Sequence, residues 1–395
     1  MSGGLLFWVG LSSVAVIYGG YAAWVLALAS LRPVPVRRPR PADRLPDVTC
    51  VIAAADEGGT IDRKLESLRR QDYPRARLSF LVVSDGSTDA TDAEVAAHAA
   101  ADPCVRLLRL PTPSGKPSAL NLARAHTTSE VMVCMDARQE VAPDAIRKLV
   151  ARLADPAVGV VSGDLRVRGD SYWRLERSLR RAESRSGSMV QVTGALYALR
   201  TADFPSLPAD LILDDVYVPL TVALSGRRIV LAEDAVGDDT APATLSGELG
   251  RKIRTLAGLV QVCHRLPAAL NPTVNPVWGR FLVHKLARLL CPYGLVLAAV
   301  GAAAGAGPGP LPWLSVAAFG LFAAAGVAGV RSRLTNACRS LVTLHLAALA
   351  AVPAYYLGLV SVRWRRPRPQ RAAPRRPDAA TRRPELAGGS GQNSG

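Results

Sequence analysis

Zinc-binding cysteine patterns are missing from this sequence of 395 residues. It contains six cysteines, but no two stand in a C-x-x-C pair and no His/Cys cluster has zinc-ligand spacing. This excludes the common structural zinc sites. Cys50 and Cys134 lie in apolar, strand-like runs, which predicts reduced and buried thiols in a cytosolic domain.

Lysine is scarce as well, since only five of the 48 basic residues are lysine, although the formal net charge is +16. The sequence has neither P-loop spacing nor a recognised nucleic-acid motif, so we expect no nucleic-acid partner. The arginines cluster beside apolar segments. Part of this charge belongs to solvated faces and a basic tail. We expect the rest to bind anionic lipid and an anionic substrate.

Charged residues are absent between Leu5 and Leu31, a run long enough to span a bilayer. A cleaved signal peptide is the alternative, but the start has no Lys or Arg and the apolar run is too long. Arginines follow directly at positions 32–40, and positive charge marks the cytoplasmic side. We therefore predict a retained anchor followed by a cytoplasmic domain.

Three further apolar stretches follow that domain, at roughly Leu289–Ala306, Trp313–Val330 and Leu341–Val362. The uncharged loop 307–312 and the arginine-bearing loop 331–339 suit alternating outside and inside positions. Three crossings would place the C-terminus outside, although the residues from Arg363 are strongly basic. Either one segment does not cross fully, or the tail departs from the charge rule. The Pro- and Arg-rich composition from Pro367 onward predicts disorder.

Short apolar strands alternate with helical patterns in the soluble part. Strands are predicted at 48–54, 80–83, 105–110 and 131–135, and helices at 61–70, 88–101 and 118–126. Such alternation indicates βαβ units and a mainly parallel sheet in an α/β domain. Ligands bind at the carboxyl ends of the strands in such sheets, and Asp56, Asp85 and Asp136 all lie there.

Three side chains at this edge are candidates for contacts with a phosphorylated ligand. Asp85 lies in a strand-to-helix turn, where it either shapes the turn or accepts hydrogen bonds from a base or ribose. Lys116 is either an exposed lysine or a counter-charge for phosphate. Asp136 is either a helix cap or the hard oxygen ligand of a divalent cation. The position two residues ahead is Arg138, so a second carboxylate is missing there.

Two later segments are candidates for the chemistry itself. Asp214 and Asp215 follow an apolar run, and a carboxylate beside a like charge has reason for the raised pKa of a general base. A solvated acidic loop is the plain alternative. Arg251, Arg254 and Gln261 fall on a predicted helix, with the two arginines on one face. That helix either lies at a membrane surface or stabilises a diphosphate leaving group.

In this order, the segments resemble the membrane-bound family 2 glycosyltransferases, a group that includes the cellulose, hyaluronan and poly-N-acetylglucosamine synthases. The matching segments lie between Val48 and about Arg288, with apolar flanks. They are Ala54–Glu57, Gln71–Pro74, Val82–Asp89, Gly115–Asn121, Met135–Arg138, Gly194–Arg200, Leu213–Asp215 and Arg251–Thr255. The ordered set is highly specific, although each segment alone is not.

The resemblance implies a GT-A fold, a nucleotide-diphosphate sugar donor, Mg²⁺ or Mn²⁺, and inversion at the anomeric carbon. It implies that five side chains hold the donor: Asp56, Glu57, Asp85, Lys116 and Asp136. Asp136 would also bind the metal, and Asp215 would be the catalytic base with Asp214 beside it. Three residues would lie near the diphosphate and the acceptor: Arg251, Arg254 and Gln261.

Four positions depart from the pattern of that group. Asp56 stands where the family often has Asn, and Ser84 replaces the first acid of Asp-Asp-Gly. Arg138 replaces the second acid of D-x-D. Thr255 replaces the Trp of the last motif, which in processive synthases helps to bind the acceptor sugar. The last change puts long-chain processivity in doubt.

We therefore predict an inverting glycosyltransferase in a bacterial inner membrane, multi-pass, with its catalytic domain in the cytoplasm. The predicted parts are an anchor (1–31), a basic linker (32–47), the GT-A domain (48–288), C-terminal membrane segments (289–362) and a basic tail (363–395). Its partners would be a nucleotide sugar, a glycan or lipid-linked acceptor for envelope or extracellular glycan synthesis, and membrane lipids. The alternatives are single-sugar transfer to a lipid carrier and an inactive scaffold that binds a nucleotide sugar.

Overall fold

A computed structural model describes residues 3–37, 39, 44–167, 171–239, 245–306 and 332–362, with single positions between 317 and 330. These residues belong to the unit Met1–Trp364. The tail predicted at 363–395 lies outside the described residues, as does most of the apolar stretch predicted at Trp313–Val330.

An eight-stranded sheet forms the centre of the soluble part. Its strands in chain order are β1 (Val48–Ala54), β2 (Leu78–Asp85), β3 (Val105–Leu110), β4 (Val131–Asp136), β5 (Glu140–Val141), β6 (Val158–Val167), β7 (Leu196–Arg200) and β8 (Arg228–Asp239). The spatial order is β3-β2-β1-β4-β7-β6-β8-β5. Strands β1 to β4 are parallel, as predicted, and β6 is parallel to β8. Strand β7 runs antiparallel to both its neighbours, and β5 is antiparallel to β8.

Helices cover the sheet and form the apolar flanks. They are α1 (Gly3–Ala15), α2 (Tyr21–Leu31), α3 (Thr60–Arg69), α4 (Thr91–Ala101), α5 (Lys116–Ala125), α6 (Ala145–Leu153), α7 (Ser171–Arg185), α8 (Asp214–Leu224), α9 (Leu245–Arg265), α10 (Trp278–Arg280), α11 (Cys291–Gly301) and α12 (Arg333–Tyr356). A π-helix, Val16–Gly20, joins α1 to α2, and another, Phe281–Leu286, follows α10.

Strand β1 shows why this sequence forms a covered parallel sheet. Every residue of the strand is buried, with Val51 and Ala53 in one core layer and Cys50 and Ile52 in the other. Apolar side chains on both faces are typical of a parallel strand between two layers. Cys50 and Cys134 are free and buried, as their apolar surroundings predict.

Among the residues that the structure describes, two helices are long and apolar enough to cross a membrane, Gly3–Leu31 and Leu334–Tyr356. A third span arises if the pair Trp278–Leu289 and Cys291–Ala304, bent by 53°, is one broken crossing. The bend adjoins Pro292, which lacks a backbone N–H and clashes with the preceding turn. The prediction of an apolar stretch beginning at 289 therefore missed the first half of this pair.

The last helix is also placed differently from the predicted stretch 341–362. Helix α12 begins after a capping box in which Ser332 and Thr335 bond each other's backbone N–H. It ends at Tyr356, because Gly358 adopts a left-handed backbone with φ of 65°. Residues 357–362 are therefore an extension beyond the helix and not its last turns.

Candidate active site

The carboxyl ends of the parallel strands gather the predicted acidic residues on one edge of the sheet. Asp85 is the last residue of β2 and Asp136 the last of β4. Asp56 follows β1, the strand that lies between them. Ligands bind at this edge in α/β sheets. The structure thus places these residues together, in the arrangement that the strand pattern predicts.

Asp56 has a backbone conformation that non-glycine residues seldom adopt. Its φ is 52°, and its Oδ1 accepts a hydrogen bond from the N–H of Thr88 at 2.7 Å. Its own N–H donates to the hydroxyl of Ser87 at 3.2 Å. Backbone strain of this kind persists where surrounding contacts enforce it, and it concentrates at functional sites. The Ser-Asp-Gly-Ser-Thr segment therefore fixes the turn that follows β1.

Glu57 pairs with the arginine that replaces the second acid of D-x-D. The Arg138 Nε donates to both carboxylate oxygens of Glu57, at 2.8 and 3.2 Å. Burial raises the pKa of Glu57, and the positive charge of Arg138 opposes that rise. Sequence reasoning treated the two residues separately. The pair puts a cation, held by a carboxylate, at the edge where the donor is expected.

Asp85 is engaged by backbone groups in this structure. Its two carboxylate oxygens accept hydrogen bonds from the N–H groups of Ser114 and Gly115, at 2.6 and 2.8 Å. The tight packing continues at Gly86, where a Cβ would lie 2.7 Å from Pro113. Asp85 therefore fixes the turn that presents Lys116. Its predicted contact with the donor remains a prediction.

Lys116 joins the donor edge to the acidic pair. Its Nζ lies 2.9 Å from Asp136 Oδ1, 3.3 Å from Asp214 Oδ2 and 3.3 Å from the carbonyl oxygen of Gly194. Burial lowers the pKa of Lys116, but the two carboxylates raise it by more, so the net shift is upward and the ammonium stays charged. Pairing lysine with carboxylates from β4 and α8 requires the folded chain, and the sequence carries no signal for it.

Asp214 and Asp215 form the first turn of α8 and are not a solvated loop. Asp214 is only 7% exposed. The helix N-terminus favours negative charge there. Burial, and then the charge of Asp214, raise the pKa of Asp215 to about 7, while Lys116 opposes the rise. A Cβ on Gly194 would lie 3.4 Å from both Lys116 Nζ and Asp215 Cβ, which is ordinary contact, so the segment before β7 lies directly against both side chains.

Arg254 lies close to the acidic pair, whereas Arg251 is exposed. Burial lowers the pKa of Arg254, and the charges of Asp214 and Asp215 raise it, which places the guanidinium in their electrostatic field. Its nitrogens donate to the carbonyl oxygens of Ser361 and Val362 at 3.3 and 3.4 Å. Thus one of the two predicted arginines reaches the site from helix α9.

The residues after α12 reach the same place, which sequence reasoning missed. A Cβ on Gly115 would lie 3.2 Å from Val362 Cγ2. Residues 361–362 therefore lie against both the turn before Lys116 and the guanidinium of Arg254. No local pattern could reveal a contact between segments so distant in the chain.

Gln261 is buried and bonded to the segment that precedes α8. Its amide nitrogen donates to the carbonyl of Asp210 at 2.8 Å, and its oxygen accepts from the N–H of Ile212 at 2.8 Å. The buried side chain therefore braces the segment leading into α8. Its predicted contact with the diphosphate or acceptor stays a prediction.

A divalent cation fits this site only when a ligand supplies most of its coordination. Within the described part of the chain, no three His, Cys, Asp or Glu side chains form a group able to hold a metal. Mg²⁺ in phosphate sites is commonly bound by one or two carboxylates plus substrate phosphates. The Asp136 side chain is 39% exposed and contacts Lys116 through Oδ1. It can serve as that single carboxylate.

The fold and the edge together define a class. A mainly parallel sheet that ends in carboxylates, with an ammonium between two of them and an arginine nearby, suits transfer of a group from a diphosphate-bearing donor. The comparisons with known proteins identify which class of transferase this is. Residues 49–202 match the model of Glycosyl transferase family 2, so the chain carries a domain of that family.

Two of the curated relatives match about half of this chain. The N-acetylglucosaminyltransferase of Rhizobium meliloti (strain 1021) is 27% identical over 235 residues, 53% of this chain and 55% of that protein. The poly-beta-1,6-N-acetyl-D-glucosamine synthase of Staphylococcus epidermidis is 23% identical over 225 residues, 53% of this chain and 54% of that protein. The chain thus spans about half the length of the curated relatives it matches.

A solved structure matches nearly the whole chain. The mannosyltransferase PcManGT from Pyrobaculum calidifontis, determined in complex with GDP-Man and Mn²⁺, has a TM-score of 0.74 and 28% sequence identity to this protein. The match covers 89% of this chain and 99% of that one. It confirms the predicted GT-A fold, and the two apolar helices indicate membrane association.

Proposed function

We propose that this protein is an inverting glycosyltransferase that moves a sugar from a nucleotide-diphosphate donor to a saccharide or lipid-linked acceptor. The observation that carries the proposal is the position of Lys116, whose ammonium contacts Asp136 and Asp214 at 2.9 and 3.3 Å. This contact supports a single site that contains both the donor edge and the acidic pair. A transferase needs that continuity, because donor and acceptor must meet.

The donor would bind along the edge formed by Asp56, Glu57 and Asp136, with Lys116 and Arg138 supplying positive charge. The contact of Asp85 with the turn before Lys116 keeps that ammonium in place. A divalent cation held by Asp136 and the diphosphate would act as a Lewis acid and neutralise charge on the leaving group. Mg²⁺ and Mn²⁺ are the candidates, and Mn²⁺ is the ion in the PcManGT complex.

The acceptor side would use Asp215 as the general base. A carboxylate whose pKa is raised to about 7 is half ionised at neutral pH, which suits proton transfer from a hydroxyl. The acceptor oxygen attacks the anomeric carbon while its proton passes to Asp215. The bond from that carbon to the diphosphate oxygen breaks, and its electron pair leaves with the nucleoside diphosphate. Attack opposite the leaving group inverts the centre.

Arg254 would stabilise the charge that develops on the departing diphosphate. Guanidinium groups bind phosphate oxygens with well-defined geometry. In this structure its nitrogens contact the carbonyls of Ser361 and Val362, so the donor would have to take over those hydrogen bonds. The exposed Arg251, one helical turn earlier, lies on the same helix.

The donor sugar is open to a direct test. We expect an N-acetylglucosamine or mannose donor, because relatives are named for the first and PcManGT was solved with GDP-Man. Purified protein would be given UDP-GlcNAc, UDP-glucose and GDP-mannose with Mg²⁺ or Mn²⁺, and release of the nucleoside diphosphate would be measured. Binding of a donor without release, under every acceptor condition, would favour the inactive scaffold, to which the Glu57–Arg138 pair lends its only support.

The membrane arrangement belongs to the same proposal. We infer that the domain at 48–288 faces the bacterial cytoplasm, where sugar nucleotides are made, and that the apolar helices anchor it in the inner membrane. Ala97 is exposed on α4 and suits a labelling test. An Ala97→Cys variant, with Cys104 and Cys263 replaced by Ser, should react with an impermeant thiol reagent only after permeabilisation. Reaction in intact cells would show that the domain faces the outside and would contradict the inferred orientation.

A further inference from the structure

A short segment before β7 contacts both the predicted base and the buried lysine of the site. It comprises residues 192–195 and is called the bridge segment below. The N–H of Val192 donates to the backbone carbonyl oxygen of Asp215 at 3.0 Å, and a Cβ on Gly194 would lie 3.4 Å from Asp215 Cβ. The carbonyl oxygen of Gly194 accepts a hydrogen bond from Lys116 Nζ at 3.3 Å. The position of the bridge segment therefore determines how these two side chains lie relative to each other.

One buried hydroxyl holds the middle of the bridge segment. The N–H of Thr193 donates to Ser162 Oγ at 3.0 Å, and Ser162 is fully buried in β6. The same oxygen accepts a hydrogen bond from Arg180 Nη2 at 2.8 Å and donates to the carbonyl oxygen of Gly163 at 2.9 Å. A serine hydroxyl has one donor and two acceptor sites, so all of them are filled here. Ser162 is thus held in one orientation by Arg180 and fixes the bridge segment in turn.

Arg180 has an unusual environment for a cation on α7. It is only 4% exposed, and its Nε has no hydrogen-bond partner in the described part of the chain. Four carboxylates act on its charge, one of them that of Asp215. The other three have partners of their own: Asp164 pairs with Arg177, Glu176 with Lys285 and Glu183 with His284. These acids balance the charge of Arg180, but the group to which its guanidinium donates is the hydroxyl of Ser162.

We propose that Arg180 and Ser162 are positioning residues for the proposed glycosyl transfer. Arg180 orients the hydroxyl of Ser162, and that hydroxyl holds the bridge segment. The bridge segment keeps Asp215 in place relative to Lys116 and the donor edge. The proposal rests on the proposed function, and neither positioning residue touches the donor or the acceptor. A base must stay within hydrogen-bond reach of the hydroxyl it deprotonates, and a displacement of about 1 Å can lower a rate by about a hundredfold.

Three variants and one control separate positioning from general packing of α7 on the sheet. Ser162→Ala removes the hydroxyl, and Arg180→Met removes its donor with a side chain that fills much of the same space. Arg180→Lys is the conservative variant, because it keeps the charge and a donor. Ser184→Ala is the matched control. Ser184 is also buried, and its Oγ also accepts a hydrogen bond from a backbone N–H, but that of Leu231 in β8 and not one of the bridge segment.

The kinetics of the full-length protein should show a loss of turnover and not of donor binding. Ser162→Ala and Arg180→Met should each lower kcat by about tenfold or more and leave the KM for the donor within about threefold. The double variant should lose no more than the larger single loss, because both changes act through one hydroxyl. Arg180→Lys should recover most of the lost kcat. In an Asp215→Asn background, Ser162→Ala should change kcat by less than about twofold. The Ser184→Ala control should keep the kcat of wild type.

Hydrogen–deuterium exchange examines the bridge segment without relying on turnover. A peptide covering residues 190–196 should exchange about tenfold faster in Ser162→Ala and Arg180→Met than in wild type, and at the wild-type rate in Ser184→Ala. Unchanged exchange in both variants would overturn the proposal. An equal loss of kcat in Ser184→Ala, or losses that add in the double variant, would overturn it as well. If wild type releases no nucleoside diphosphate with any donor, the transferase is refuted instead, and the exchange rates still decide whether Arg180 and Ser162 hold the bridge segment.

Discussion

The donor edge and the acceptor side of this site are built from contacts of very different range. At the donor edge, Asp56 contacts Thr88 and Asp85 contacts Gly115, all on neighbouring loops of one parallel half-sheet. On the acceptor side, Arg254 contacts Val362, which is 108 positions away in the chain. The donor edge is therefore built mainly from loops of the sheet. The acceptor side also depends on the placement of the apolar helices.

Lys116 connects these two regions, so its loss is expected to have the largest effect. Lys116→Met leaves the buried Asp214 and the edge residue Asp136 without their shared cation. We expect the free energy of unfolding to fall by about 3–5 kcal/mol, the usual cost of removing one partner of a buried pair. Activity should fall below detection.

Denaturant unfolding of the Lys116→Met variant would measure that loss. Lys148→Met is the matched control, because Lys148 pairs with Asp144 on the surface of α6. It should change stability by less than about 0.5 kcal/mol. Equal stability of the two variants would mean that Lys116 does not join the two regions.

The second largest effect is expected from a substitution at the donor edge alone. Asp136→Asn keeps the shape of the side chain but removes the charge that would hold a divalent cation. We expect turnover to fall by about a hundredfold or more, with little change in unfolding, because the side chain is 39% exposed. Titration of Mn²⁺ in the release assay would show whether the metal requirement has shifted. Full turnover of wild type in excess chelator would contradict the role given to Asp136.

Much of the donor edge could be predicted because its signals are local. The apolar run of β1 and the acidic turn after β2 are each contiguous in the sequence, and the parallel arrangement follows from their alternation with helices. Strand β1 was predicted with its observed ends, Val48 and Ala54. The roles of the individual side chains are not tested by the fold.

The acceptor side could be predicted only in part, because its contacts join segments that are far apart in the sequence. The raised pKa of Asp215 was predicted from its acidic neighbour. The approach of residues 361–362 to Gly115 was not, because a helix end and a left-handed Gly358 decide it. The bend beside Pro292 had a local signal that the hydropathy pattern obscured.

A smaller effect is expected in the pH dependence of kcat/KM, which tests whether Asp215 is the base. Asp215 must be ionised to accept a proton, so kcat/KM should fall as the pH drops below about 7. Asp214→Asn removes the neighbouring charge that helps to raise the pKa of Asp215. Its acidic limb should therefore move to lower pH, with a milder loss of turnover than a change at Asp215 itself. A limb that stays in place would show that another group titrates.

The smallest effect concerns the Glu57–Arg138 pair at the donor edge. The Arg138 side chain is 57% exposed, and exposed ion pairs contribute about 0–1 kcal/mol. Arg138→Ala should therefore leave stability nearly unchanged and alter donor affinity only a few-fold. Calorimetric titration with the donor checks this. Complete loss of donor binding would instead make Arg138 the main contact of the donor edge.

Kinetics and donor binding of Asp215→Asn test the account most directly. The variant should bind the donor within a few-fold of wild type and lose about a hundredfold or more in kcat, the usual scale for loss of a general base. A raised carboxyl pKa costs stability as pH rises toward 7, so at pH 8 the variant should unfold no more easily than wild type. Turnover equal to wild type would contradict the account.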